Sequence, residues 1–344
     1  MARALAEAAV TEHFDVYGLR LEVEGDWPAV IQDLAQDFAW FRRPDPADGP
    51  AQGAHVVVTV ARRPADPERF GRIPQSFITT RNVVYQSGSE TIIDYSGAVI
   101  AVYDRARDRF HVEGEDQDLV HEATYLFLLS RIGRHIDASG RMRIHALGLS
   151  GRQGAVLVLL PSGGGKTTLA LRARSAPGVR LLSEDTPILD RRGNVHPFPL
   201  RMGVNERDRH LLPEDGVRRI ERLEYGPKLL VSIDALGDCI ESQPQPLRHL
   251  VIGRRWLAGG GALTPVSRRS LIGPLVRDGV IGLGVAQMIE YVLREGARDF
   301  LRQGGVAASR AACCTRAITG ASTWRLELAR DLDQNWEALT TLLS

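Results

Sequence analysis

Cysteine, long apolar runs and net charge are all scarce in this chain of 344 residues. The only cysteines are Cys239, Cys313 and Cys314. Their spacing suits no zinc site, and their odd number argues against a framework of disulfides. We therefore expect thiols that stay reduced, as in the cytoplasm. Cys313 and Cys314 stand in an alanine-rich run, which predicts that they are buried packing residues.

The chain contains nothing near the ~18 consecutive apolar residues that a membrane-spanning helix needs. Its first ten residues are alanine-rich but lack the apolar run of a secretory signal. A net charge of +1 excludes wholesale binding to nucleic acid or to an anionic membrane. We therefore expect a cytoplasmic, globular protein that has neither nucleic acid nor membrane as a partner.

The pattern of apolar and polar residues predicts two domains. The first, residues 1–138, is predicted to be a small α+β domain. Its expected strands are 14–24, 55–60, 82–86, 90–94, 98–103 and 109–113, with helices at 26–38 and 118–136 and a loop at 42–53. Turns are expected at Ser87-Gly88 and Ser96-Gly97.

The second domain, residues 139–344, is predicted to have a mixed sheet. Its expected strands are 143–149, 155–160, 179–182, 187–190, 195–198, 229–233, 247–252 and 324–329. Its expected helices are 166–175, 283–301 and 331–343, the last with Asp331 as its N-cap. Because hairpins interrupt the series, the predicted fold class is α/β of the mixed α+β type.

A candidate phosphate loop occupies residues 161–168. It reads Pro-Ser-Gly-Gly-Gly-Lys-Thr-Thr and lies between an apolar strand and a helix. The backbone N–H groups of such a loop, together with the helix N-terminus, surround an anion. The predicted nucleotide-binding residues are Ser162, Gly163, Gly164, Gly165, Lys166, Thr167 and Thr168.

Within this loop, Lys166 is expected to reach the terminal phosphates, and the Thr167 hydroxyl is expected to bind Mg²⁺. A structural turn that needs glycine only for its geometry has no use for the Lys-Thr-Thr that follows. The loop departs from the usual pattern at its start, where Leu160 replaces a glycine.

Two adjacent carboxylates, Glu184 and Asp185, follow the apolar strand 179–182. Carboxylates at the end of a core strand are well placed to face a phosphate loop. Because neighbouring strand residues point to opposite faces, one can hold Mg²⁺ while the other accepts a proton from a hydroxyl. The alternative is an ordinary solvated turn. His145 precedes the loop on a predicted strand, and spacing alone favours a core histidine.

Together, His145, the loop and Glu184-Asp185 resemble the catalytic domain of HPr kinase/phosphorylase. That family of bacterial serine kinases has a fold related to phosphoenolpyruvate carboxykinase. The overall sequence, including its N-terminal region, more closely resembles the HPr-kinase-like proteins of lasso-peptide biosynthetic clusters. Those proteins resemble kinases that phosphorylate a serine at the C-terminal end of a precursor peptide.

The resemblance implies specific roles. It implies ATP and Mg²⁺ as cofactors, Lys166 on the β- and γ-phosphates and Thr167 on the metal. It further implies Glu184 as the catalytic base, Asp185 as a metal or structural carboxylate, and His145 near the transferred phosphate. By the same analogy, the chain could form a homo-oligomer, although the sequence does not determine its oligomeric state.

The chain departs from the family at several positions. Leu160-Pro161 replaces the Gly-Asp/Glu that begins the family's loop, and Glu184 replaces the first aspartate. The segment that supports the family's reverse, phosphate-removing reaction is not found. We therefore expect kinase activity, with a small-molecule kinase or a non-catalytic nucleotide-binding module as alternatives.

Several basic residues are weaker candidates. Lys228, Arg201 and the pair Arg254-Arg255 could each contact phosphate, although a surface position is the more ordinary expectation for them. Arg268-Arg269 is expected to be a solvated helix start.

Overall fold

The structure is a computed structural model, which describes residues 9–43, 54–160, 163–221, 227–257, 259–285 and 297–344. The chain divides into two compact units. The first contains the described residues up to Ile132 and those of Arg218–Leu229. The second contains Gly133–Val217, Leu230–Val285 and the described part of Glu295–Ser344. The first division falls after Ile132, within the helix that ends at Ala138.

The first unit is built on one nine-stranded sheet, ordered β3-β1-β2-β4-β9-β8-β7-β6-β5. Its strands are β1 (Val10–Val16), β2 (Leu19–Gly25), β3 (Arg42–Arg43), β4 (His55–Arg62), β5 (Gln75–Ile78), β6 (Val83–Ser87), β7 (Glu90–Tyr95), β8 (Val99–Asp104) and β9 (Arg109–Gly114), and its helices are α1 (Pro28–Asp37) and most of α2 (Gln117–Ala138). Rings from the sheet and from α2 meet in the core, where Phe110 and Phe127 stack with centroids 4.0 Å apart. The predicted α+β character of this region is confirmed.

The single strand predicted over residues 14–24 is wrong. The chain forms a hairpin there, with Val16 paired to Leu19 across a two-residue turn. Tyr17 and Gly18 both have left-handed backbones, with φ of 55° and 89°. Two consecutive positive φ angles make the tight turn whose twist suits a hairpin. The sequence signal was weak because tyrosine is rare at such a position.

The second unit is built on a mixed sheet, ordered β10-β14-β15-β19-β12-β11-β13, with β21 beside β19 and β20 beside β21. The strands from residue 142 onward are β10 (Met142–Arg143), β11 (Leu147–Gly151), β12 (Gly154–Leu159), β13 (Arg180–Ser183), β14 (Ile188–Leu189), β15 (Asn194–His196), β16 (Met202–Val204), β17 (Val217–Ile220), β18 (Lys228–Val231), β19 (Gln245–Arg255), β20 (Leu263–Pro265) and β21 (Ser322–Leu328). The helices are α3 (Lys166–Ala173), α4 (Ile272–Leu275), α5 (Ala297–Gly320) and α6 (Leu332–Thr340).

This sheet contains both parallel and antiparallel pairs, as the hairpins in the sequence predicted. β19 pairs in parallel with both β12 and β21, whereas β11 pairs antiparallel with β12 and β13. The Asp331 carboxylate accepts a hydrogen bond from the backbone N–H of Asp333, which confirms Asp331 as the N-cap of α6. The helix predicted at 283–301 falls largely outside the described residues.

The prediction that His145 lies on a strand is wrong. β10 ends at Arg143 and β11 begins at Leu147, so His145 lies in a bend between them. The chain changes partners at this bend, because β10 pairs with β14 whereas β11 pairs with β12 and β13. The chain therefore crosses at this bend from the edge strand β10 to β11, which lies between β12 and β13.

The three cysteines are free thiols. Cys313 and Cys314 are buried in the apolar core of the second unit, as predicted. Burial raises the pKa of the Cys313 thiol to about 11 and that of the Cys314 thiol to about 12. Within the described ranges, none of the helices has the length and apolar character needed to cross a membrane.

Candidate functional site

The candidate phosphate loop lies between β12 and α3, as the sequence predicted. Gly163 and Gly165 have left-handed backbones, with φ of 70° and 92°. Glycine adopts this conformation without steric cost, and successive residues of this kind turn their N–H groups toward a common centre. Pro161 and Ser162 lie outside the described residues. The described part of the loop before α3 therefore consists of Gly163, Gly164 and Gly165.

Leu160, which replaces the usual first glycine, is buried and fits against a glycine of the next strand. A Cβ atom added to Gly253 would lie 1.9 Å from Cδ2 of Leu160. The glycine that makes room at the start of this loop thus belongs to β19 rather than to the loop itself. The Leu160 side chain is 1% exposed and fills that space.

Lys166 is buried at the start of α3 and its ammonium group lies at the centre of the site. Its Nζ lies 2.9 Å from Nε2 of His145 and donates to the backbone oxygen of Leu160 at 3.3 Å. Oδ1 of Asp185 lies 3.7 Å from the same Nζ. The lysine and the histidine, predicted from separate segments of the sequence, are therefore neighbours.

Thr167 contacts the other carboxylate. Its hydroxyl donates a hydrogen bond of 2.5 Å to Oε1 of Glu184. Threonine hydroxyl and carboxylate oxygens are hard donors of the kind that Mg²⁺ prefers. The next residue, Thr168, is buried in α3.

His145 is held by backbone and side-chain contacts from two directions. Its backbone N–H donates to the backbone oxygen of Asp278 at 3.1 Å. The backbone N–H of Ala146 donates to the backbone oxygen of Asp185 at 3.0 Å. Its Nδ1 lies 3.2 Å from Oδ1 of Asp185, without hydrogen-bond alignment. The ring is therefore fixed between Lys166 and Asp185.

The two adjacent carboxylates face different partners. Glu184 meets the hydroxyl of Thr167, whereas Asp185 meets His145 and Lys166. Both residues lie in the bend that follows β13, where the chain turns after Ser183. The site thus has one carboxylate beside a hydroxyl oxygen and another beside two nitrogen groups.

Arg255 is a residue to which the sequence gave little weight. Its Nη2 donates to the Gly163 oxygen at 3.4 Å. It reaches the loop because β12 and β19 run in parallel, with Leu159 paired to Ile252, so both strands end at the same edge of the sheet. The signal in the sequence was a basic pair at the end of a core strand.

The other basic candidates lie elsewhere or are not assigned to the site. The Arg254 guanidinium lies over the ring of Trp256, 5.1 Å from its centroid. Arg268 lines a shallow cavity of about 410 Å³ beside β21. Arg201 and Lys228 are half-buried. Two further residues that the sequence did not indicate, Asp278 and Gly284, contact His145.

The donor set fits a magnesium–nucleotide complex better than a resident metal. Across the residues that the structure describes, no group of three or more His, Cys, Asp or Glu side chains could hold a metal ion. Mg²⁺ is commonly held by one or two carboxylates together with phosphate oxygens of a substrate. Thr167 and Glu184 would be the protein ligands of Mg²⁺ in such a complex.

Comparison with known proteins assigns no family. A scan against models of protein families gives no match, and a search of curated proteins finds no similar sequence.

Proposed function

We propose that the protein is an ATP- and Mg²⁺-dependent kinase that phosphorylates a hydroxyl group, best matched by a serine of a peptide or protein. The observation that carries this proposal is that Lys166 and Thr167, adjacent at the start of α3, each meet a different one of two adjacent carboxylates. A phosphate loop alone predicts nucleotide binding. A second carboxylate beside the lysine adds a proton acceptor at the place where the terminal phosphate would lie.

The nucleotide would be held by the loop amides of Gly163–Gly165 and by the N-terminus of α3. Lys166 would leave the Leu160 oxygen for the terminal phosphates. Thr167 and Glu184 would hold Mg²⁺, which supplies charge neutralisation on the transferring phosphoryl group. In the proposed reaction this chain thus contributes positioning and fixed charge.

The acceptor hydroxyl would lose its proton to a carboxylate of the site. The family resemblance assigns that role to Glu184. The contact between Glu184 and Thr167 supports a metal-binding role for Glu184, which leaves Asp185 as the better placed base, with His145 beside it. We place this activity in the cytoplasm, where free thiols stay reduced. The predicted domain 1–138 would recognise the acceptor.

Two variants test the proposal in a phosphate-transfer assay with ATP, Mg²⁺ and serine-containing peptides, among them the C-terminal segment of a lasso precursor. Asp185→Asn should lower the transfer rate by about 10²- to 10⁴-fold, the usual contribution of a general base. Glu184→Gln should raise the Mg²⁺ concentration needed for half-maximal activity. Glu214→Gln, at an exposed carboxylate, is the control and should behave as wild type.

Other outcomes would assign a different function. Binding of ATP without transfer to any acceptor would indicate a nucleotide-binding regulatory module. Transfer to small hydroxyl compounds but not to peptides would indicate a small-molecule kinase. Wild-type transfer rates in both carboxylate variants would contradict the proposed site.

A further inference from the structure

The segment Val276–Gly284 packs against His145 and fixes the histidine backbone. It begins with a wide helical turn, Val276–Ile281, and ends in two left-handed glycines, Gly282 and Gly284. The backbone oxygen of Asp278 accepts the hydrogen bond from the N–H of His145. This segment lies far from the phosphate loop in the sequence, yet it contacts a residue of the site.

Gly284 lies directly against the imidazole ring. A Cβ atom added to Gly284 would lie 2.7 Å from Cδ2, 2.8 Å from Cγ and 2.9 Å from Nε2 of His145. Real Cβ atoms do not approach other atoms so closely, and an aromatic ring cannot fold away as a flexible side chain can. A side chain at position 284 therefore requires the ring or the backbone beside it to shift.

The ring atom nearest to the lysine is among those that would move. Nε2 of His145 lies 2.9 Å from Nζ of Lys166. A lysine ammonium group only donates, so Nε2 of His145 accepts in this contact. The position of the ring thus determines the contacts that Lys166 and Asp185 make with it.

We propose that Gly284 is a positioning residue, whose missing side chain allows the His145 ring to lie between Lys166 and Asp185 in the geometry that phosphoryl transfer requires. The kinetic part of this inference rests on the proposed kinase function. The geometric part does not, because it concerns the orientation of a ring in the free protein.

The matched variants separate contact from backbone strain. Gly284 has φ of 86°, so Gly284→Ala introduces both strain and a clash with the ring. Gly178 has φ of 76° and open space where a Cβ would be, so Gly178→Ala introduces the strain alone. Gly273 has open space and no left-handed backbone, so Gly273→Ala should introduce neither.

The experiment measures the peptide phosphorylation rate, the ATP dissociation constant and the ¹⁵N chemical shifts of the His145 ring in these three variants. Gly284→Ala should lower kcat by about 10²-fold, the cost of a small misplacement near the reacting atoms. Its affinity for ATP should match that of Gly178→Ala, and only Gly284→Ala should shift the Nε2 signal. Wild-type kcat together with an unshifted ring signal would overturn the inference.

Two further readouts keep the result decisive. If wild type transfers no phosphate but Gly284→Ala shifts the ring signal, the proposed function fails and the positioning role stands. If Gly284→Ala folds poorly, its loss of stability should shrink in a His145→Ala background, because the clashing ring is gone. An equal loss of stability in both backgrounds would contradict the contact.

Discussion

At the scale of single residues, the start of the phosphate loop shows how one glycine can replace another. The sequence places Leu160 where a glycine is usual, and the structure places Gly253 against it. The two positions are far apart in the chain but adjacent in parallel strands. The space that a loop needs can therefore be supplied by its neighbour.

This pairing predicts a compensating double variant. Gly253→Ala should destabilise the second unit by about 1–3 kcal/mol and weaken ATP binding, because its Cβ would overlap the Leu160 side chain. Leu160→Ala removes the overlapping atom. The double variant should therefore lose less free energy of unfolding than the sum of the losses in the two single variants. Chemical denaturation and ATP titration of the three variants provide the measurement. Strict additivity would mean that the two residues do not interact.

The residue scale also shows what the sequence could predict about the site. Lys166, Thr167 and the three loop glycines were predictable because they form a local motif whose geometry the chain itself fixes. The contact of Gly284 with His145 was not, because it depends on the path of a segment more than a hundred residues away. Local motifs can be read from spacing, whereas contacts between distant segments need the fold.

At the scale of secondary-structure elements, the strands were predicted better than their connections. β6, β7, β8 and β9 lie within a residue or two of the predicted ranges, because clear turns separate these short strands. The bend at His145 was missed because pairing partners, rather than residue types, interrupt that strand. Periodicity identifies extended chain but does not show where it changes neighbours.

The end of helix α2 is joined to helix α5 by a buried ion pair. Nε and Nη2 of Arg310 donate to the two carboxylate oxygens of Asp137 at 2.8 and 2.7 Å. The two side chains are 10% and 11% exposed. A pair this sheltered from water depends on both partners, because either charge left alone would be buried without compensation.

Removal of one partner should therefore destabilise the second unit strongly. We expect Arg310→Ala to lower the free energy of unfolding by about 3–5 kcal/mol, because it leaves the Asp137 charge buried and unpaired. Arg172→Ala breaks a pair with Asp333 in which the side chains are 41% and 62% exposed, and it should cost at most about 1 kcal/mol. Urea denaturation of both variants gives the comparison. Equal losses would show that burial does not set the strength of these pairs.

At the scale of the whole molecule, each unit has a histidine whose surroundings favour the neutral ring. Burial lowers the pKa of His111 in the first unit, and the charges of Arg63 and Arg69 add to that effect against the opposing pull of Glu113. Burial also lowers the pKa of His249 in the second unit, assisted by the charge of Arg248. Nδ1 of His249 accepts a hydrogen bond of 3.2 Å from the indole N–H of Trp324, which requires that nitrogen to be unprotonated.

These shifts predict that acidification weakens the fold in a defined window. A histidine with a lowered pKa binds its proton more readily in the unfolded chain, so stability falls as pH drops below the unfolded value of about 6.5. Each histidine can contribute a slope of at most about 1.4 kcal/mol per pH unit. Denaturation between pH 5 and 8, followed by tryptophan fluorescence, should show stability rising with pH.

His249→Asn keeps an acceptor for Trp324 and has no titrating group, so it should reduce the slope of the transition that this indole reports. His111→Gln removes the titrating group of the first unit and should leave that transition unchanged if the two units unfold separately. A slope that is the same in wild type and His249→Asn would mean that His249 titrates normally and that the contact with Trp324 does not hold it neutral.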